Sequence, residues 1–213
     1  MSLIANRRLA GASTTMIRAA LSCCAATIAL SPVAAWAHPG AASHTHGFEY
    51  GFAHPFSGID HVFAMVSVGL FATRQGGRAL WLLPLTFISI MGLAGVAGMT
   101  GIALPLVEIG IGLSVVVLGL VVASRQRLPT AVAMALVGLF AVFHGYAHGI
   151  EMPASSSGLL YGLGFVMATA VLHAMGIGVG LATGKIGQVR SLRVIQISGA
   201  AISLAGAAIL LVS

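Results

Sequence analysis

Residues 130–151 read TAVAMALVGLFAVFHGYAHGIE, and this stretch decides the fold class of the chain. It has no Asp, Glu, Lys or Arg before its last residue, and its length is about the 20 residues that a helix needs to cross a bilayer. Polar and apolar residues do not alternate with a period of two, which disfavours a β-strand. The stretch therefore predicts a transmembrane helix.

Five further stretches have the same character, separated by Gly, Pro or basic residues. The sequence predicts an all-α, polytopic membrane helix bundle with six transmembrane helices, near 55–73, 79–98, 104–124, 130–149, 158–182 and 193–212. Glycines cluster in spans two, four and five, among the 28 in the chain. Membrane helices use glycine to bring backbones together, so these clusters predict close packing or flexible points.

The composition of the whole chain agrees with a membrane protein. Of 213 residues, 58% are hydrophobic and 7% are charged, and the mean hydropathy is +1.04. A soluble domain usually has about 25% charged residues. The composition excludes an ordinary cytosolic enzyme, a disordered chain and a nucleic-acid-binding protein that works by charge.

The N-terminus has the three parts of a secretory signal peptide. Basic residues precede an apolar run over 19–30, and Ala35-Trp36-Ala37 forms an A-x-A site. We expect residues 1–37 to be a cleaved signal peptide, and 38–213 to form a single six-helix domain whose residues 38–54 are a His-bearing periplasmic lead. An uncleaved first membrane helix and lipidation at Cys23 are the alternatives. Cleavage would remove both cysteines of the chain, and with them any thiolate ligand or nucleophile.

The basic residues predict the orientation. After residue 37, all seven Lys and Arg residues lie in the loops after spans one, three and five or at the start of span six. By the positive-inside rule those loops are cytoplasmic, so both mature termini are periplasmic and the protein is multi-pass in a bacterial inner membrane. The positive charge then determines topology, with the lipid bilayer as the surroundings and no nucleic-acid partner.

Ionisable side chains within membrane spans are costly and mark functional sites. Span one opens with His54, and Asp60 and His61 lie about two turns into it. Met65 is four residues after His61 and shares a helix face with it. In span four, three residues spaced i, i+4, i+7 form one stripe, namely His144, His148 and Glu151. By the predicted topology both groups lie near the outer surface.

Imidazole nitrogens with a few carboxylate oxygens suit Ni²⁺, Co²⁺, Zn²⁺ or Cu²⁺, whereas Ca²⁺ and Mg²⁺ prefer oxygen shells. The expected metal ligands are His54, Asp60, His61, His144, His148 and Glu151. A hydrogen-bonded interior network without metal is the alternative. Open secondary candidates are His38, His44, His46, Met65, Glu108 (five residues into span three) and His173 (about fifteen residues into span five). No permanently bound cofactor is expected.

Two motifs carry a family resemblance. His54-Pro55-x-x-Gly58-x-Asp60-His61 with Ala64-Met65-x-x-Val68-Gly69-Leu70, and Phe143-His144-Gly145-x-Ala147-His148-Gly149-x-Glu151, closely resemble the signature of the HupE/UreJ family. His38-Pro39-Gly40 after the signal peptide resembles its HupE branch. The resemblance implies a permease that supplies nickel or cobalt for hydrogenase or urease, with the maturation proteins of those enzymes as partners. It also implies that the motif histidines, Asp60 and Glu151 handle the metal.

Three functions remain open at the level of sequence. Import of Ni²⁺ or Co²⁺ driven by the membrane potential is favoured, since the chain lacks a P-loop motif and any soluble domain. An intramembrane metal-dependent hydrolase would use Glu151 or Asp60 as its base. A non-transporting accessory protein would bind the metal without moving it. We expect a transporter and not an enzyme.

Overall fold

The computed structural model describes residues 47–124, 126–152, 157–184 and 188–212, without the side chains of 188 and 189. The predicted signal peptide and His38, His44 and His46 lie outside these residues. The described chain has no strand, which confirms the all-α prediction. Its helices are α1 (Gly47–Ala53), a 3₁₀ turn (His54–Phe56), α2 (Ile59–Gln75), α3 (Ala79–Met99), α4 (Val107–Ala123), α5 (Thr130–Ile150), α6 (Gly158–Gly184) and α7 (Gln188–Val212).

Four of the helices are long and apolar enough to cross a membrane: α3, α5, α6 and the part of α7 from Arg190 to Val212. Helix α4 is apolar but has only 17 residues. Helix α2 is long and apolar enough to cross a membrane only together with the segment Gly47–Phe56, from which it is bent by 81°. The membrane-type helical fold is thus established for the described residues, while six spans and their orientation stay predictions.

The first predicted span, 55–73, is not one continuous helix. The Ser57 hydroxyl and backbone N–H both donate to the His54 carbonyl, at 2.6 and 3.0 Å, and close the 3₁₀ turn. Gly58 is then extended (φ −105°, ψ 121°), so α2 begins only at Ile59. Asp60 and His61 therefore lie in the first turn of a helix and not two turns into one. The prediction was wrong here because a local turn competes with the helix at a serine and a glycine.

Close backbone contacts at glycine join the helices in pairs. A Cβ on Gly145 would collide with the Met91 carbonyl, and one on Gly149 with the Gly95 carbonyl, so α3 and α5 lie side by side in the same direction. The same kind of contact joins α2 to α6. This confirms the close packing predicted for span four. Gly92, Gly178 and Gly184 do not take part in such packing, since a Cβ on each would meet nothing within 4 Å.

The core lies between these helix pairs and is mainly apolar. Its largest fully buried side chains include Phe71, Phe87 and Met91, whereas Leu93 and Leu204 on the outer faces are each 73% exposed. Large apolar side chains that point outward are expected where lipid surrounds a bundle. A few polar side chains are nevertheless buried in this core, and His144, His148 and His173 are among them.

Candidate metal centre

Four elements surround one polar cavity of about 230 Å³. The 3₁₀ turn and the start of α2 form one side, and the start of α4 and the end of α5 form the other. The lining residues are His54, Ser57, Gly58, Asp60, His61, Glu108, Ile111, His148 and Glu151. The two motifs, about 90 residues apart in sequence, therefore meet in space as their chemistry predicted.

Three residues at this cavity bring ligand atoms close together. One nitrogen each of His54 and His148 and one carboxylate oxygen of Glu151 lie within 4.8 Å of one another. The Nε2 of His54 is 2.9 Å from Oε2 of Glu151, and the Nδ1 of His148 is 3.7 Å from the same oxygen. Among the described residues this is the one cluster of at least three His, Cys, Asp or Glu with convergent ligand atoms. Two nitrogens and an oxygen suit a borderline divalent ion.

Asp60 fixes the orientation of the His61 ring. Its Oδ1 accepts hydrogen bonds from the backbone N–H and from Nδ1 of His61, both at 2.8 Å. An ionised carboxylate only accepts, so the ring proton is on Nδ1 and the lone pair is on Nε2. That Nε2 is buried and has no hydrogen-bond partner. A carboxylate behind a histidine, with the opposite nitrogen left bare, is the usual arrangement behind metal-binding imidazoles.

Ser114 fixes the orientation of the His144 ring in a similar way. Ser114 was not among the site residues predicted from the sequence. The Ser114 hydroxyl donates to the Ile111 carbonyl at 2.6 Å and lies 2.8 Å from Nε2 of His144. Because the single hydroxyl proton goes to Ile111, the serine oxygen accepts from Nε2–H, and the lone pair of His144 is on Nδ1. This Nδ1 is buried without a partner. A lone hydroxyl in the apolar stretch 109–123 was the signal that could have revealed it.

The histidine rings form a continuous series from the cavity into the core. The His54 and His148 ring centroids are 4.8 Å apart, those of His148 and His61 are 4.4 Å apart, and those of His61 and His144 are 4.9 Å apart. The His54 side chain is 31% exposed, whereas His144 is fully buried. We call His54, His148, His61 and His144 the imidazole series.

The secondary candidates are distributed differently. Glu108 lines the cavity and is exposed, in the first turn of α4 and not five residues into a span, because Leu106 takes a left-handed conformation (φ 59°) and α4 begins at Val107. Met65 lies on α2 and is fully buried in the apolar core of the bundle. His173 is 1% exposed and is not a lining residue of the cavity. It contacts Phe87, with ring centroids 5.3 Å apart.

The arrangement favours capture of a dication. Three carboxylates, Asp60, Glu108 and Glu151, line one small cavity, and a cavity lined by one sign of charge concentrates the opposite ion. The imidazoles beyond it offer bare nitrogens in an environment that excludes water.

Comparisons with known proteins agree with the sequence resemblance. The family model described as HupE / UreJ protein matches residues 25–209. The Protein HupE of Rhizobium leguminosarum bv. viciae is 46% identical over 185 residues, which cover 86% of this chain and 95% of that protein. No solved structure matches the chain.

Proposed function

Since the chain belongs to the HupE/UreJ family, which is associated with nickel or cobalt uptake for hydrogenase, we propose that it imports Ni²⁺ through the imidazole series. The observation that carries the proposal is the cluster of His54, His148 and Glu151 at the cavity, from which the imidazole series continues into the core. Co²⁺ is the second candidate ion because the same ligands bind it.

The proposed path begins at the cavity. Glu151 and the His54 and His148 nitrogens replace part of the hydration shell of the ion. Their exposed fractions fall from 47% for the Glu151 side chain to 4% for that of His148, so water is lost stepwise. Loss of all hydration in one step would be prohibitive, because an uncompensated buried charge is strongly destabilising.

The ion then passes to Nε2 of His61 and to Nδ1 of His144. Neighbouring rings are in contact, so one ligand can be exchanged while another still holds the ion. In this scheme Asp60 and Ser114 do not bind the ion themselves but hold the two rings with the bare nitrogen available. The membrane potential supplies the driving force, about 4.6 kcal/mol for a dication at 100 mV, from about 2.3 kcal/mol per charge.

The proposed location is a bacterial inner membrane, with the cavity at the periplasmic face. The C-terminal ends of α2 and α4 lie together, since Nη1 of Arg74 donates to the Val122 carbonyl at 2.6 Å. The start of α2 and the end of α5 lie together at the cavity. Both contacts agree with the loops after spans one, three and five on the cytoplasmic side and the cavity on the periplasmic side. Delivery of the imported ion to hydrogenase or urease maturation proteins is part of the proposal.

A hydrolase that uses a serine nucleophile is not supported by the site. The one serine that lines the cavity, Ser57, donates its hydroxyl proton to the His54 carbonyl and not to an imidazole or carboxylate. Activation of a serine nucleophile needs a base within hydrogen-bonding distance.

The test is metal uptake into proteoliposomes with an imposed potential, inside negative. Initial rates are measured for Ni²⁺, Co²⁺ and Zn²⁺ with the wild type, with Glu151→Gln and with the matched control Glu49→Gln, an exposed acid on α1. We expect Ni²⁺ or Co²⁺ to enter, a higher half-saturating concentration for Glu151→Gln and little change for the control. Binding without entry of any of the three ions would refute import and favour a non-transporting accessory role.

A further inference from the structure

His173 is a buried imidazole that nothing in the described structure satisfies. It lies in the middle of α6, is 1% exposed, and neither Nδ1 nor Nε2 has a hydrogen-bond partner. A buried polar group without a partner is destabilising and calls for an explanation. An apolar residue would fill this position in the core without that cost.

The position of His173 continues the imidazole series inward. A Cβ on Gly69 would collide with the His173 carbonyl, so these two residues lie side by side on α2 and α6. Gly69 follows His61 by eight residues on α2, which places this level about 12 Å beyond His61 at about 1.5 Å per residue. The ring of Phe87 contacts both His144 and His173, with centroid distances of 5.7 and 5.3 Å.

Two further side chains that can bind a metal ion lie one helical turn from the contact between His173 and Phe87. Thr169 is one turn before His173 on α6, and Met91 is one turn after Phe87 on α3. The Thr169 hydroxyl contacts the Met91 sulfur at 3.8 Å, and both residues are buried. The facing sides of α3 and α6 thus bring an imidazole, a thioether and a hydroxyl to one region of the core. No carboxylate is among these side chains.

We propose that His173 anchors a second, inner binding position for the transported dication, with the Met91 sulfur and the Thr169 hydroxyl as additional ligands. This inference rests on the proposed import function and extends its path beyond His144. A neutral set of donors suits a transit position, because conduction requires binding that is favourable enough to admit an ion and weak enough to release it. It also explains why an imidazole without a partner is retained in the core.

The test is His173→Leu, assayed as the initial Ni²⁺ uptake rate over a range of concentrations together with thermal unfolding. Because neither ring nitrogen has a hydrogen bond to lose, we expect the unfolding temperature to stay the same or rise. We expect the maximal rate to fall by at least about tenfold. The external half-saturating concentration should stay within about twofold of the wild type, because the cavity residues are unchanged.

A pair of methionine variants provides the matched control. Met91→Leu should lower the maximal rate, whereas Met175→Leu should not, since Met175 is 54% exposed on the outer face of α6. If His173→Leu does not fold, His173→Gln takes its place, because it keeps a polar side chain but offers no imidazole. A folded His173 variant with wild-type uptake would overturn the inner position and leave import standing. Absence of uptake by the wild type would instead refute the import function itself.

Discussion

Replacement of Asp60 by Asn tests whether the carboxylate holds the His61 ring ready for metal. The substitution keeps the shape of the side chain and removes its charge. Both hydrogen bonds to Oδ1 are 2.8 Å long and come from His61. A hydrogen bond to a charged group contributes about 1.5–3 kcal/mol and a neutral one about 0.5–1.5 kcal/mol. Only the bond to Nδ1 orients the ring, and the loss of charge is expected to weaken that bond by about 1–1.5 kcal/mol.

This loss corresponds to a decrease in Ni²⁺ uptake of about fivefold to thirteenfold, with about tenfold as the central expectation. A second effect acts in the same direction. An amide can also donate a proton to Nδ1 of His61, and the ring proton would then move to Nε2 and block the proposed metal-binding nitrogen. Loss of one of the three carboxylates of the cavity further weakens the attraction for a dication.

The assay is potential-driven uptake into proteoliposomes, with initial rates normalised to the amount of inserted protein. Glu49→Gln is again the control, because Glu49 is an exposed acid on a different helix and does not line the cavity. Uptake by Asp60→Asn within about twofold of the wild type, or an equal effect of Glu49→Gln, would refute the role assigned to Asp60.

Four further predictions concern the series and the topology. His144→Ala and His148→Ala should each abolish most uptake and leave the protein inserted in the membrane; loss of folding with intact metal binding in the remaining protein would favour a structural network. Ser114→Ala should lower uptake and also reduce the free energy of unfolding by about 1 kcal/mol, because Nε2–H of His144 loses its acceptor. If neither the uptake rate nor the free energy of unfolding changes, the orienting role of Ser114 is contradicted. A reporter fused after the last residue should be active only in the periplasm and one fused at Arg125 only in the cytoplasm, and the opposite pattern would overturn the topology. N-terminal sequencing of the mature protein should begin at His38, whereas an intact N-terminus would exclude cleavage.

Much of the fold and the site could be predicted because the chemistry is concentrated in few residues. On a chain with 7% charged residues, each acid or histidine in an apolar stretch stands out. The helical spacing of His148 and Glu151 predicted that both face the same side, and both line the cavity together with His54, with Glu151 directly after the end of α5. The helix pattern itself follows from the long apolar runs, because a helix satisfies all its backbone hydrogen bonds within one segment.

The remainder depends on contacts that a sequence does not display. The break before Ile59 arises from the hydroxyl of Ser57 and the extended Gly58, two residues that a continuous apolar helix would also tolerate. The link between Ser114 and His144 joins residues that are 30 positions apart on different helices. The contact of His173 with Phe87 likewise depends on how α6 packs against α3.

The central claim is that the protein moves the ion across the membrane, and the accumulation ratio of Ni²⁺ in proteoliposomes tests it most directly. At 100 mV, inside negative, the driving force of about 4.6 kcal/mol corresponds to an equilibrium ratio above about a thousandfold. We predict accumulation far above the amount of protein present, which disappears when the potential is collapsed and is absent with His148→Ala. An amount of retained Ni²⁺ that equals the amount of protein and does not depend on the membrane potential would contradict transport.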